Sequence, residues 1–283
     1  MVYLAGAAYC DASALRSWSC GQACNGPLSV VSFCALSAAP RGSHSQTSLH
    51  PRHTLSPPPD PEVRSQVPGT ITVVQNSSMD LQAYVGQLSD GRAIVSFRGT
   101  QPSKLADWID DLKAVRRNQF PVYPSPPPHA RSCEPPQSAF HTDWQGPGCP
   151  GCRMADGFYK SYLALAPAVK VALNGIGAGT VVITGHSLGA GMAGIAMLDL
   201  HTSGFNLAST HYTFGHPRDG ERTAARARRL APSLCPVWFN EAQTSYQVCD
   251  GTGEDPNCSD SLTIAASISD HLDYLNLPIS NMC

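Results

Sequence analysis

Apolar residues fall into strand-length runs before residue 100. Ile71 to Val74 and Leu81 to Leu88 are rich in β-branched, aliphatic and aromatic side chains, and Ala93-Ile94-Val95-Ser96-Phe97 follows the turn former Ser89-Asp90-Gly91. That layout predicts an antiparallel hairpin. Beyond it the spacing changes: Leu105, Trp108, Ile109 and Leu112 stand at i, i+3, i+4, i+7 behind a candidate N-cap at Ser103, opposite Lys104, Asp107, Asp110, Asp111 and Lys113. A short amphipathic helix is expected there. Gly157 to Leu165 opens another helix, Val181 to Gly185 reads as a buried parallel strand, and His211 to Gly215 as a further strand. Strands and helices in this order predict a mixed α/β sheet.

Two stretches break the pattern. Residues 35–68 and 121–148 are dense in proline, serine and histidine, include Pro57-Pro58-Pro59 and Pro126-Pro127-Pro128, and show no apolar period. They bury too little apolar surface to offset ordering entropy and are expected to be loosely ordered insertions. The remainder of the 283 residues fits one domain, 1–283, of ordinary α/β size.

Composition narrows the function. A net charge of −2 with 14% charged residues supplies no basic stripe, so nucleic acid is not an expected partner. No run of eighteen apolar residues exists to span a bilayer, and the opening Met-Val-Tyr-Leu-Ala-Gly-Ala-Ala lacks a basic n-region and a full h-region. Eleven cysteines nevertheless argue for an oxidising compartment. The expectation is therefore a secreted, extracellular protein whose true N-terminus is not the one at Met1. Asn76-Ser77-Ser78 adds a glycosylation acceptor triplet.

The chemistry centres on Gly185-His186-Ser187-Leu188-Gly189, a G-x-S-x-G pentapeptide between the β-branched run and the small residues Ala190, Gly191, Ala193 and Gly194. Such a sharp strand-to-helix turn lifts one hydroxyl clear of a sheet edge, and glycines at both ends let neighbouring backbone pass close. Ser187 is the proposed nucleophile. It needs a base, and in this kind of site the base follows the nucleophile in the chain. His201 lies fourteen residues along the helix after Ser187, roughly 21 Å away at 1.5 Å per residue. His211 begins a strand, at the end remote from the site. His271 and His216 remain. Arg98-Gly99-Thr100, at the end of a strand, is either a structural turn or an oxyanion site.

The elbow, Phe97-Arg98-Gly99-Thr100, Asp156-Gly157-Phe158-Tyr159-Lys160-Ser161-Tyr162, Tyr212-Thr213-Phe214-Gly215-His216-Pro217-Arg218 and Asp270-His271-Leu272-Asp273-Tyr274-Leu275 occur in order. With these motifs the chain resembles the fungal class 3 lipases over roughly residues 1–34, 70–120 and 149–283. The resemblance implies an α/β-hydrolase fold, a Ser-His-Asp triad and a helical lid over an acyl groove. It gives the base role to His271, with His216 as fallback, turns His186 away from substrate, and makes Leu188 N–H and Thr100 the oxyanion donors. It places Leu105, Trp108, Ile109 and Leu112 in the lid, either a mobile one or a fixed flap. It also implies the disulfides Cys10–Cys283, Cys20–Cys24 and Cys249–Cys258. Cys149-Pro150-Gly151-Cys152 is read as a further disulfide clip, although its spacing also suits a redox pair or half a zinc site.

One family feature is missing. The triad aspartate is expected in an Asp-x-Val-Pro loop, yet here His216-Pro217-Arg218 leads through the Arg/Ala-rich stretch 221–230 almost directly into Val237-Trp238-Phe239. The expected fold is thus an α/β-hydrolase-type mixed, mostly parallel sheet flanked by helices and short of one strand. Asp219, Glu241 and Asp250 lie outside the motif, so the acid is left unassigned. The expected function is a secreted, monomeric serine hydrolase that cleaves lipid carboxylic esters, above all triacylglycerols, at an oil–water interface, with no cofactor and no metal. The alternatives are a hydrolase-fold protein impaired by loss of the acid, a feruloyl esterase or phospholipase A1 of the same family, and a Cys-x-x-Cys redox or zinc protein.

Overall fold

β1 (Thr72–Asn76), β2 (Leu81–Gln87), β3 (Ala93–Phe97), β4 (Val181–His186) and β5 (Tyr212–Phe214) lie side by side in chain order. The computed structural model describes residues 1–26, 53–54, 71–107, 141–144, 149–177, 179–217, 219–220, 237–239, 243, 245–249, 257–258 and 267–283. β1, β2 and β3 form antiparallel pairs, with Val85 opposite both Thr72 and Val95. β4 then pairs parallel with β3, and β5 parallel with β4. The register sets Phe97 beside Gly185 and His186 beside Phe214, so β3, β4 and β5 all end at one edge of the sheet. In open α/β sheets that carboxyl-terminal edge is where ligand sites form.

Alternation of side chains along each strand builds two cores. Ala83, Val85, Val95, Phe97, Val181 and Ile183 face α4 (Asp156–Ile176) and α5 (Leu188–Thr202). Tyr84, Ile94 and Val182 face the opposite layer, made by α1 (Val2–Ala7), α2 (Ala12–Arg16) and α3 (Gly21–Asn25). Each fully buried aliphatic side chain, Leu165 and Val169 of α4 among them, contributes about 1.5–3 kcal/mol. α5 presses on the sheet because its small residues permit it: a methyl at Gly191 would stand 2.8 Å from the Phe158 ring.

The layer of short helices is tied down by polar contacts as well. A helix end leaves backbone carbonyls without intrahelical partners, and sheet side chains meet those of α1. Tyr84 Oη and Ser96 Oγ both donate to Leu4 O, at 2.8 and 2.9 Å, while Gln82 Nε2 donates to the carbonyls of Ala8 and Cys10, each at 2.9 Å. Disulfides join Cys10 to Cys283, Cys20 to Cys24, Cys149 to Cys152 and Cys249 to Cys258.

Several elements differ from the sequence reading. The helix that Gly157 to Leu165 opens is α4, and it runs on through Pro167 to a left-handed cap at Gly177, because Val169, Ala172 and Leu173 are buried against the sheet and hold the second half in place. The proline-rich stretches are not wholly irregular: His53–Thr54 pairs with Ser245–Val248, and His141–Asp143 pairs with Arg153–Ala155. Trp144, next to the latter strand, is buried against Tyr159. Most of residues 35–68 and 121–148 lies outside the described residues. Among the described residues β5 is the last strand of the central sheet, and Val237–Phe239 pairs instead with Ser245–Val248 in a separate sheet. No described helix is long and apolar enough to cross a membrane.

Candidate active site

Ser187 sits where β4 meets α5 and adopts φ +58°, ψ −125°. A side chain rarely occupies that backbone region, and it persists only where the surroundings enforce it. Here they do. Ser187 N–H donates to Phe214 O at 3.0 Å, and Ser187 O accepts from Ala190 N at 2.9 Å and Gly191 N at 3.2 Å. A methyl at Gly185 would strike the Gly189 backbone, and one at Gly189 would strike the carbonyl of Phe97. The strain serves to aim the hydroxyl: Ser187 Oγ is buried and makes no hydrogen bond.

The turn after β3 faces the elbow. Arg98 N–H donates to Gln82 O at 2.9 Å, and its Nη2 donates to both the backbone oxygen and, at 2.6 Å, the Oδ1 of Asp80. Lys104 Nζ meets the other Asp80 oxygen at 2.8 Å. Hydrogen bonds from Lys104 and then Arg98 hold the Asp80 carboxyl below the usual carboxylate range. Thus fixed, the turn presents Thr100, whose Oγ1 is likewise buried without a hydrogen bond. Unbonded buried donors are costly unless something else comes to fill them.

His271 arrives on α6 (Ile268–Leu272), whose N-cap Ser267 accepts from Asp270 N at 3.2 Å. Its ring packs on Gly215, just past β5: a methyl there would stand 2.6 Å from His271 Cε1, 2.8 Å from its Nδ1 and 2.5 Å from Tyr274 Oη. The ring also lies 4.8 Å from that of His186, the residue before Ser187. Burial pushes the His271 pKa down to about 4, so the imidazole is neutral at pH 7.

The fallback histidine is differently placed. His216 Nδ1 meets Thr213 Oγ1 at 3.0 Å and its Nε2 meets Asp219 Oδ2 at 3.1 Å, so both ring nitrogens are engaged. Asp219, one of the weak candidates for the triad acid, is buried beside His216. Glu241 and Asp250 lie outside the described residues, as do the lid positions Trp108, Ile109 and Leu112, whereas Leu105 is buried behind the 3₁₀ turn Pro102–Lys104. Leu188 opens α5 immediately after Ser187. His201 ends α5, and His211 accepts from Ile183 N at 3.0 Å, at the opposite end of β5 from Gly215. Sequence reasoning missed Tyr9 and Asp80. Tyr9 carries no local signal, for its partner His186 is 177 residues away, but an acidic residue in a turn opposite a buried arginine could have been sought at Asp80.

A mixed sheet whose parallel strands end at a strained serine, followed by a helix of small residues, defines an α/β-hydrolase. The profile of the family described as Lipase (class 3) matches residues 94–238, just over half of the 283, and the chain belongs to that family. It is 27% identical over 232 residues to a lipase of Rhizomucor miehei, covering 70% of this chain and 56% of that one. It is 36% identical over 149 residues to a secreted mono- and diacylglycerol lipase 2 of Gibberella zeae, covering 50% and 33%. The chain thus spans between a third and somewhat over half of these relatives. The solved Rhizomucor miehei triacylglyceride lipase is similar in fold, with a TM-score of 0.53 at 21% identity, covering 76% of this chain and 84% of that one.

Proposed function

We propose that this protein is an extracellular serine hydrolase of lipid carboxylic esters, triacylglycerols foremost. Ser187 Oγ attacks the ester carbonyl as His271 takes its proton, and the imidazolium then protonates the departing alcohol. Leu188 N–H and Thr100 hold the oxyanion of each tetrahedral intermediate. Water, deprotonated by His271, releases the fatty acid from the acyl-enzyme. The observation that carries this reading is Ser187 itself, at a positive φ with its hydroxyl buried and unbonded at the sheet edge that also holds Thr100. A buried, strained and idle hydroxyl has a structural cost and no structural return.

The test compares wild type with Ser187→Ala on an emulsified long-chain triacylglycerol and on a soluble aryl ester. Hydrolysis of both, stronger on the emulsion and lost in the variant, is the expected result. Turnover confined to the soluble ester would move the substrate to the feruloyl-esterase type. Folded protein inert on both would overturn the proposal in favour of a hydrolase fold without catalysis.

A further inference from the structure

We propose that Tyr9 and His186 are positioning residues that hold the oxyanion turn and the His271 backbone in register with Ser187, an assignment that rests on the ester-hydrolase reading above. His186 Nε2 lies 2.7 Å from His271 O, and its Nδ1 lies 2.5 Å from Tyr9 Oη. A carbonyl oxygen only accepts, so Nε2 carries the hydrogen, Nδ1 is the acceptor, and the Tyr9 hydroxyl is the donor. Burial, reinforced by the neighbouring His271, pushes the His186 pKa down to about 3 and keeps the ring in this neutral tautomer. Burial raises the Tyr9 hydroxyl above its ordinary value, which keeps it a donor.

The same hydroxyl reaches the other side of the site. It packs on Gly99, where a methyl would collide with it, with His186 O at 2.5 Å and with Ser187 Cβ at 3.0 Å. The turn that bears Thr100 thus packs on Tyr9, and from Tyr9 a chain of hydrogen bonds runs through the residue before the nucleophile to the backbone of His271. Tyr9 is itself anchored, because Cys10 is bonded to Cys283 and accepts Gln82 Nε2 on its carbonyl. Neither side chain needs to touch substrate. Their effect is geometric, and an error of 1 Å in such placement costs about 10²-fold in rate.

The experiment uses the full chain and a soluble short-chain aryl ester. Tyr9→Phe keeps the ring and deletes the hydroxyl, His186→Leu deletes both bonds, and His186→Gln retains an N–H able to reach His271 O. Tyr9→Phe and His186→Leu are each expected to lower kcat by about 10- to 100-fold with KM unchanged, and His186→Gln to recover roughly half of that loss on a logarithmic scale. The Tyr9→Phe/His186→Leu double variant should be no slower than His186→Leu alone, because both cut one chain. A folded Tyr9→Phe within about twofold of wild-type kcat, or losses that multiply in the double variant, would overturn the assignment. Should the His186 variants not fold, Tyr9→Phe decides. Wild-type protein inert on the ester would sink the hydrolase reading and the relay with it, whereas active wild type with unaffected variants would sink the relay alone.

Discussion

The loop after β5 and the segment bearing α6 each bring a histidine to the carboxyl-terminal end of the sheet, and they treat it in opposite ways. His216 is partly exposed and clamped on both nitrogens, by Thr213 and by the buried Asp219. His271, also half-buried, packs on Gly215 and His186, with its affinity for a proton lowered by desolvation. Both follow Ser187 in the chain, His271 being the base that the resemblance implies and His216 the fallback. In the structure a hydroxyl and a carboxylate together occupy both ring nitrogens of His216, whereas the ring of His271 lies beside that of the residue before Ser187.

The sharpest way to break this contrast is to remove each ring. His271→Ala is expected to lower kcat for ester hydrolysis by about 10⁴-fold or more, and His216→Ala by less than about threefold. Next in size is the oxyanion turn, where Thr100→Val should cost about 10²–10³ in kcat with little change in KM, measured on the same ester. Gly215→Ala probes the seat of His271 rather than the ring. Its methyl would press on Cε1 and Nδ1 from 2.6 and 2.8 Å, at a backbone φ of +55°, and kcat should fall by about 10- to 100-fold.

The gentlest perturbation is pH. His186, His211 and His271 have pKa values lowered to about 3, 4 and 4 by burial, against about 6.5 in the unfolded chain. The unfolded state therefore binds more protons between these values. Stability from the neutral rings is complete above about pH 6.5 and is lost progressively as pH falls toward 4. Urea unfolding at pH 7 and pH 5 should show a lower midpoint at pH 5, and His211→Gln should flatten that dependence without altering kcat. An unchanged midpoint would contradict the assigned burial of these rings.

Much of the sheet was legible because its information is local. The runs around Val74, Val85 and Val95 announce strands by length and residue type, and Gly185-His186-Ser187-Leu188-Gly189 announces its own turn. Other features depend on distant partners. Pro167 argues locally for a helix end, yet burial of Val169 and Leu173 carries α4 through it. His53 and Thr54 read as coil until Tyr246 and Ser245 supply the other half of the ladder. The site divides the same way: Ser187 could be proposed from its motif, and Thr100 and His271 from resemblance. The commitment of Asp219 to His216 and the reach of Tyr9 to His186 follow from packing that no window of sequence contains.

The central claim is that Ser187 is activated by His271 and not by His216. The rate at which a fluorophosphonate modifies Ser187, followed by intact mass in folded wild type, His271→Ala and His216→Ala, tests it most directly. The account predicts rapid labelling of wild type and His216→Ala, and almost none of His271→Ala. Labelling that survives in His271→Ala and disappears in His216→Ala would contradict it.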